Sequence, residues 1–116
     1  MRIPEIVKIG GLTYKVNVTE NIKLGEDYGA EIRFRELEIN IREMPRERMN
    51  RCFLHEVFHG IYENLGYIDH DEKQIDEVAG AFYGVIVDNP EMFVSNKLVT
   101  ITPENPMVSS SEPIQA

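Results

Sequence analysis

The amino-acid sequence predicts a small α+β domain in which an antiparallel sheet packs on two helices. Three features carry that expectation. Apolar and polar residues alternate through much of the stretch from Ile3 to Arg42, the period of strands that are wet on one face. Beyond Pro45 the apolar residues switch to helical spacing. Glycine and proline punctuate the junctions at Gly10-Gly11, Pro45, Gly66 and Pro90, where turns and helix ends use them. A chain of 116 residues can bury one such core and not two.

Taken in order, Ile3 to Ile9 and Leu12 to Val18 flank Gly10-Gly11 and read as a hairpin. Residues 19–27 are polar and read as a loop. Tyr28 to Phe34 alternates around Ala30, Ile32 and Phe34, and Glu36 to Arg42 places Leu37, Ile39 and Ile41 on one face. Phe34-Arg35-Glu36 would join these two strands tightly, although it holds neither Gly nor Asn. From Pro45 to Leu65 a helix is predicted by Met49, Phe53, Leu54, Val57, Phe58, Ile61 and Leu65. Proline suits its first turn and Gly66 its left-handed C-cap. Apolar residues occupy more than one of its faces, so it should be buried on most sides.

A polar connection leads to a second helix, from about Asp71 to Asp88, with Ile75, Val78, Ala79, Phe82, Val85 and Ile86 as its apolar stripe. Its acidic start suits the helix dipole, and Asn89-Pro90 ends it. A short helical turn and an extended piece, Lys97 to Ile101, would complete one domain over residues 1–102. Residues 103–116, rich in Pro and Ser, read as a disordered tail.

Composition narrows the function. Twelve Lys and Arg against twenty Asp and Glu give a net charge of −8, which repels phosphate backbones, so no nucleic-acid partner is expected. The arginines between Arg33 and Arg51 are interleaved with glutamates, as on a solvated surface. No apolar run reaches membrane-spanning length, so no membrane partner is expected. The first residues, MRIPEIVKIGG, lack the apolar block of a signal peptide, and the single cysteine, Cys52, forms no internal disulfide. The expected location is the cytoplasm.

The chemistry is carried by His55-Glu56-Val57-Phe58-His59, an HExxH motif inside the first predicted helix. Positions i and i+4 lie about 40° apart around a helix axis, so two imidazoles at that spacing can reach one metal ion. Glu56 stands about 100° round from His55, where it can take a proton from a water that the metal has polarised. This arrangement predicts a Zn2+ site with His55 and His59 as ligands and Glu56 as general base. A structural pair of histidines around a salt-bridged glutamate is the competing explanation. Imidazole and carboxylate ligands also accept manganese or iron.

Catalytic zinc needs a third protein ligand. The extended pattern HExxHxxGxxH is absent, because Tyr62 and Leu65 stand at its glycine and last histidine. Candidates on the second helix and the loop before it are Asp69, His70, Asp71, Glu72, Asp76 and Glu77. Asp76 comes first, since it shares one side of that helix with Gly80 and Tyr83, and Ala79 and Gly80 would allow close helix packing. Glu77 and His70 follow. Cys52, three residues before His55, reads as a small buried hydrophobe, with ligation a minor alternative. A hydroxyl to stabilise an oxyanion could come from Tyr83, Tyr62 or Tyr67.

The stretch LHEVFHGIYENLGY followed by EKQIDEVAGAFYGVIVDNPEMF resembles a group of small phage- and prophage-encoded zinc metallopeptidases, distant relatives of the ImmA/IrrE-type metallopeptidases. IVKIGGLTYKV and DYGAEIRFRELEINI look like that group's opening strands, so the resemblance spans about residues 3–93. It implies a zincin-like fold, metal ligands at His55 and His59, and Glu56 as base. It also implies an acidic third ligand on the following helix, at the position of Asp76, where many relatives carry Glu. The expected activity is hydrolysis of a peptide or protein substrate, with the strand Glu36 to Arg42 as a place for an extended substrate to pair. The alternative is a non-catalytic phage accessory protein that keeps a structural metal and binds a host protein.

Overall fold

The hairpin expected at Gly10-Gly11 opens the computed structural model, which describes residues 1–93. Strand β1 (Ile6–Ile9) pairs antiparallel with β2 (Leu12–Val18), with Ile9 opposite Leu12. That register leaves a two-residue turn, whose residues both need positive φ. Gly10 and Gly11 supply φ of 58° and 86°. The next pair, β3 (Ala30–Arg33) and β4 (Glu38–Ile41), is antiparallel too, with Ala30 opposite Ile41. Its turn lacks Gly and Asn because Leu37 itself takes the left-handed conformation, at φ 59°. Leu37 packs against the core while doing so.

The α+β class is as the sequence indicates, but the sheet is mixed rather than antiparallel. Its order is β1-β2-β4-β3, and β2 pairs parallel with β4, Val16 beside Ile39. The physical reason lies in the loop after β2. Residues 19–29 are long enough to carry the chain past one strand position, so β3 forms the sheet edge and β4 returns into the gap. Backbone hydrogen bonds mark the crossing: Thr19 N donates to Ile41 O at 2.8 Å, and Arg42 N to Gly29 O at 2.9 Å.

Arg42, just past β4, then fastens the loop. Its Nε donates to Tyr28 O at 2.8 Å, Nη2 to Gly25 O at 2.9 Å, and Nη1 to Glu20 O at 2.9 Å. The polar face of the sheet lies beneath this loop. Glu31 is 2 % exposed there, and its carboxylate accepts from Asn40 Nδ2 at 2.7 Å and from Leu24 N at 3.1 Å. Alternation therefore marks the two faces correctly, yet Glu31 and Asn40 are buried with partners instead of solvated.

The apolar face carries Ile9, Tyr14, Ile39 and Ile41 into the core, where they meet Phe53 and Leu54 of helix α1 (Arg46–Leu65). Pro45 is the N-cap rather than the first helical residue, and Gly66 closes the helix at φ 94°, its N–H donating to Tyr62 O and Glu63 O. Helix α2 (Glu72–Asp88) starts at its N-cap Asp71, whose side chain accepts from Gln74 N at 3.2 Å. It packs on α1 through Ile75 and Ala79, with Phe82 edge-on to Phe58. The sheet on one side and α2 on the other account for the apolar residues found around α1. A 3₁₀ turn, Pro90–Phe93, follows. The strand expected at Lys97 to Ile101 and the tail expected at 103–116 lie outside the described residues. Among the described residues no helix is long and apolar enough to cross a membrane.

Removing the Arg42 guanidinium frees three carbonyls of the loop at once. Arg42→Met is expected to cost about 1–3 kcal/mol in urea unfolding, with hydrogen exchange speeding up in residues 20–28 before the rest of the sheet. Unchanged exchange there would show that the loop is held by something else.

Candidate metal centre

The C-terminal half of α1 faces the start of α2, because Gly66 turns the chain and residues 67–71 bring it back. Three side chains converge there: His55, His59 and Glu72, with one ligand atom from each lying within 4.8 Å of the others. His55 Nε2 is 3.0 Å from Glu72 Oε1, and His59 Nε2 is 2.6 Å from Glu72 Oε2. Both histidines thus stand where the sequence predicts, aimed at one point.

The far side of each ring fixes what it offers to that point. Asp76 Oδ1 lies 3.2 Å from His55 Nδ1. A carboxylate only accepts, so with a cation held between Nε2 and Glu72 the His55 proton belongs on Nδ1, toward Asp76, and Nε2 keeps its lone pair. His59 is set through a relay. The Tyr67 carbonyl lies 3.0 Å from His70 Nε2 and also only accepts, so that nitrogen holds His70's proton. His70 Nδ1 must then accept from His59 Nδ1, 2.8 Å away, leaving the lone pair of His59 on Nε2. Burial lowers the His59 pKa, which keeps its ring neutral at pH 7.

Two imidazole Nε2 atoms and a carboxylate therefore meet at one point, and the contacts of 3.0 Å and 2.6 Å each take a proton when no cation is present. Stripped of those protons the set is repulsive by itself and suited to a divalent cation. Zinc bonds of about 2.0–2.2 Å in a tetrahedral site would need each donor pair to stand about 3.3–3.6 Å apart, wider than the Nε2–carboxylate distances of 3.0 Å and 2.6 Å. The exposed Glu72 side chain has the freedom to give that. The donor chemistry fits zinc, and hydrogen-bonded partners behind the histidines are what metal-ligating imidazoles require.

The third position differs from the leading expectation. Glu72, at the first turn of α2, joins the histidines, while Asp76 stands behind His55 as its partner. The two are one helical turn apart on the same side of α2, and the longer side chain reaches across. Glu77 points away and pairs with Lys73 at 3.7 Å. His70 is a partner of His59 rather than a member of the cluster. Asp69 is exposed in the connecting loop and outside the cluster. Cys52 is half-buried on the cleft wall and also outside it; burial pushes its thiol pKa up.

Tyr83 packs against the hydrophobic core and is no part of the cleft. It lies seven residues beyond Asp76, about 10 Å along the helix. Tyr62 donates to Gln74 Oε1 at 3.1 Å and ties the two helices together. The tyrosine that lines the cleft on both sides of the cluster is Tyr28, in the Arg42-fastened loop. No period or motif singles it out in the sequence.

Glu56 is 8 % exposed and also lines the cleft. Burial pushes its pKa up to about 7, with Glu72 and Glu31 adding to the shift and His55 opposing it. The strand Glu36 to Arg42 does not offer a free edge, since β4 is paired on both sides; the edge next to the cluster is β3. Comparison with known proteins finds no match to this chain among family models, curated proteins or solved structures.

Two outcomes follow from this geometry. By competition with a chromogenic chelator, Glu72→Ala should weaken zinc binding by at least about a hundredfold, and Asp76→Ala by about tenfold. The reverse ranking would return the ligand role to Asp76. In the metal-free protein, raising the Glu56 pKa costs stability as pH climbs from its ordinary value of 4.5 through about 7. Glu56→Gln in chelator should therefore match the parent near pH 4.5 and exceed it above pH 7, by up to about 3 kcal/mol. Equal melting curves at pH 8 would refute the burial of a charge at that position.

Proposed function

We propose that this chain is a zinc-dependent hydrolase that cleaves peptide bonds. The observation that carries the reading is the convergence of His55 Nε2 and His59 Nε2 on Glu72, with Glu56 buried beside them. The Glu56 carboxylate has no hydrogen-bond partner among the described residues, although a buried polar group ordinarily finds one. Such a carboxylate, with a pKa near 7, is matched to passing protons at neutral pH.

When bound, zinc would supply a Lewis acid that lowers the pKa of a water and polarises a carbonyl. The residues do the rest. Glu56 takes a proton from the attacking water as the new C–O bond forms. It then gives that proton to the amide nitrogen as the C–N bond breaks, leaving a carboxylate and an amine. Tyr28, at the cleft wall, is placed to donate to the oxyanion in the role the sequence reading gave to Tyr83. An extended substrate would pair with β3, whose outer edge carries no other strand among the described residues.

The rival reading, a structural metal in a host-binding module, calls for a closed four-ligand site, for instance with Asp76 and His70 both on the ion. Each is instead engaged on the Nδ1 side of a histidine, which supports an open fourth position. On the resemblance of its motifs we place the chain among small phage-encoded peptidases acting in the cytoplasm of a bacterial host.

Elemental analysis of purified protein should find about one zinc per chain, lost in His55→Ala, His59→Ala. Against a mixture of quenched peptides, Glu56→Ala should retain zinc and lose about a hundredfold to ten-thousandfold in turnover. Equal turnover with zinc retained would overturn the mechanism.

A further inference from the structure

The cleft that holds the metal cluster has two arms of unlike chemistry. Both share Tyr28, Ala30, His55, Glu56 and Glu72, so they meet at the cluster. One arm, of about 550 Å³, adds the apolar side chains Leu24, Ile32, Phe34 and Ile68 beside the polar Glu63 and His70. Leu24 is 59 % exposed and Ile68 92 % exposed. They stand on two different loops, so this arm has an apolar rim left exposed among the described residues. Large apolar side chains exposed together at a cleft mark a place for an apolar ligand group.

The other arm, of about 420 Å³, adds Arg48 and Arg51 from α1. Among the described residues neither arginine has an ion-pair partner, whereas Arg33 has two and Arg42 has one. Arg51 has a seat on α2: a Cβ at Gly80 would collide with its guanidinium. Glycine inside a helix costs about 1 kcal/mol relative to alanine, and here it leaves room for that cation. Asp76, in the same arm, is turned to His55, and Glu72 to the cluster. Asp27 also lines this arm, and among the described residues it pairs with neither arginine, so both guanidiniums remain to meet a negative group on the ligand.

Strand β3 runs between the arms. Its first residue, Ala30, borders both, and Ile32 and the following Phe34 lie on the apolar arm. A peptide paired antiparallel to β3, the better-bonded orientation, would have its N-terminal part beside Phe34 and its C-terminal part beside Tyr28 and the arginines. The geometry points to a substrate class: an extended peptide with an apolar side chain on the N-terminal side of the cluster and a carboxylate on the C-terminal side. That carboxylate is an acidic side chain or a chain terminus. This inference rests on the hydrolase reading for its chemistry, but not for its binding.

The test uses zinc-loaded full-length protein and fluorescein-labelled hexapeptides. They carry Phe followed two residues later by Glu, by Lys, or by Ala with a free or an amidated C-terminus, and a further peptide has Phe and Glu exchanged. Fluorescence anisotropy is read on the Glu56→Gln protein, and cleavage by the parent protein is mapped by mass spectrometry. The Phe–Glu peptide should bind roughly tenfold tighter than the Phe–Lys and exchanged peptides. Arg48→Glu with Arg51→Glu should abolish or invert that preference with zinc content unchanged, and Ile68→Ser should weaken every Phe peptide alike. Tighter binding of the free than of the amidated Ala peptide would assign the arginines to a chain terminus. Equal affinities, or a preference that survives charge reversal, would overturn the inference even if peptides are cleaved. Arginine-dependent binding with no cleavage by the parent protein would overturn the hydrolase reading and leave the ligand class standing. Neither binding nor cleavage would overturn both.

Discussion

The two imidazoles present Nε2 to one point because their Nδ1 nitrogens are already committed. Asp76 holds the Nδ1 proton of His55, and the Tyr67 carbonyl, acting through His70, holds that of His59. Free histidine rings would sample both tautomers and several rotamers, and a metal would have to order them on binding. Here that ordering is built into the protein. It also makes the short segment between the helices part of the site. Gly66 must take the left-handed turn for Tyr67 and His70 to fall beside His59, and Asp71 must cap α2 for Glu72 to stand in its first turn.

Much of this was legible in the sequence, for reasons that differ by element. Strand β2, both helices and their ends follow from local rules: alternation, helical spacing, Gly10-Gly11 and Gly66. The histidine pair is equally local, since four residues on one helix define their relation. The parallel pairing of β2 with β4 is not local. It depends on how far the loop after β2 carries the chain, and that loop is held by Arg42, whose partners are mostly backbone carbonyls that no side-chain pattern reveals. Glu31 and Asn40 are hidden for the same reason, because the loop that buries them is itself placed by tertiary contacts.

The choice between Glu72 and Asp76 illustrates the limit at the site. The sequence puts two carboxylates one turn apart on α2 against two histidines one turn apart on α1. Spacing alone permits either carboxylate to face the shared point and the other to stand behind. The relative slide of the helices decides, through Ile75 and Ala79 at their contact. The outcome uses each chemically: the longer Glu72 reaches the cluster from an exposed backbone, and the shorter Asp76 sits against the near ring. Tyr83 failed as a site residue because helical spacing identifies a face but not a distance along the axis.

Glu56 shows why the site is set deep in the cleft rather than on the surface. A carboxylate in water would keep its ordinary pKa and hold a proton poorly at pH 7. Placed against the buried wall formed with Ala30, it loses solvation, and the neighbouring Glu72 charge adds to the shift. The same placement opposes folding, since an ionised Glu56 is worse off inside than out. The neighbouring His55 opposes the shift. A cation at the cluster would act in the same sense, favouring the ionised carboxylate and easing the mutual repulsion of the converging donors. Binding of a metal and stability of the fold are therefore linked through one glutamate and three ligands, so that the state best suited to proton transfer is also the state in which the buried charge is compensated.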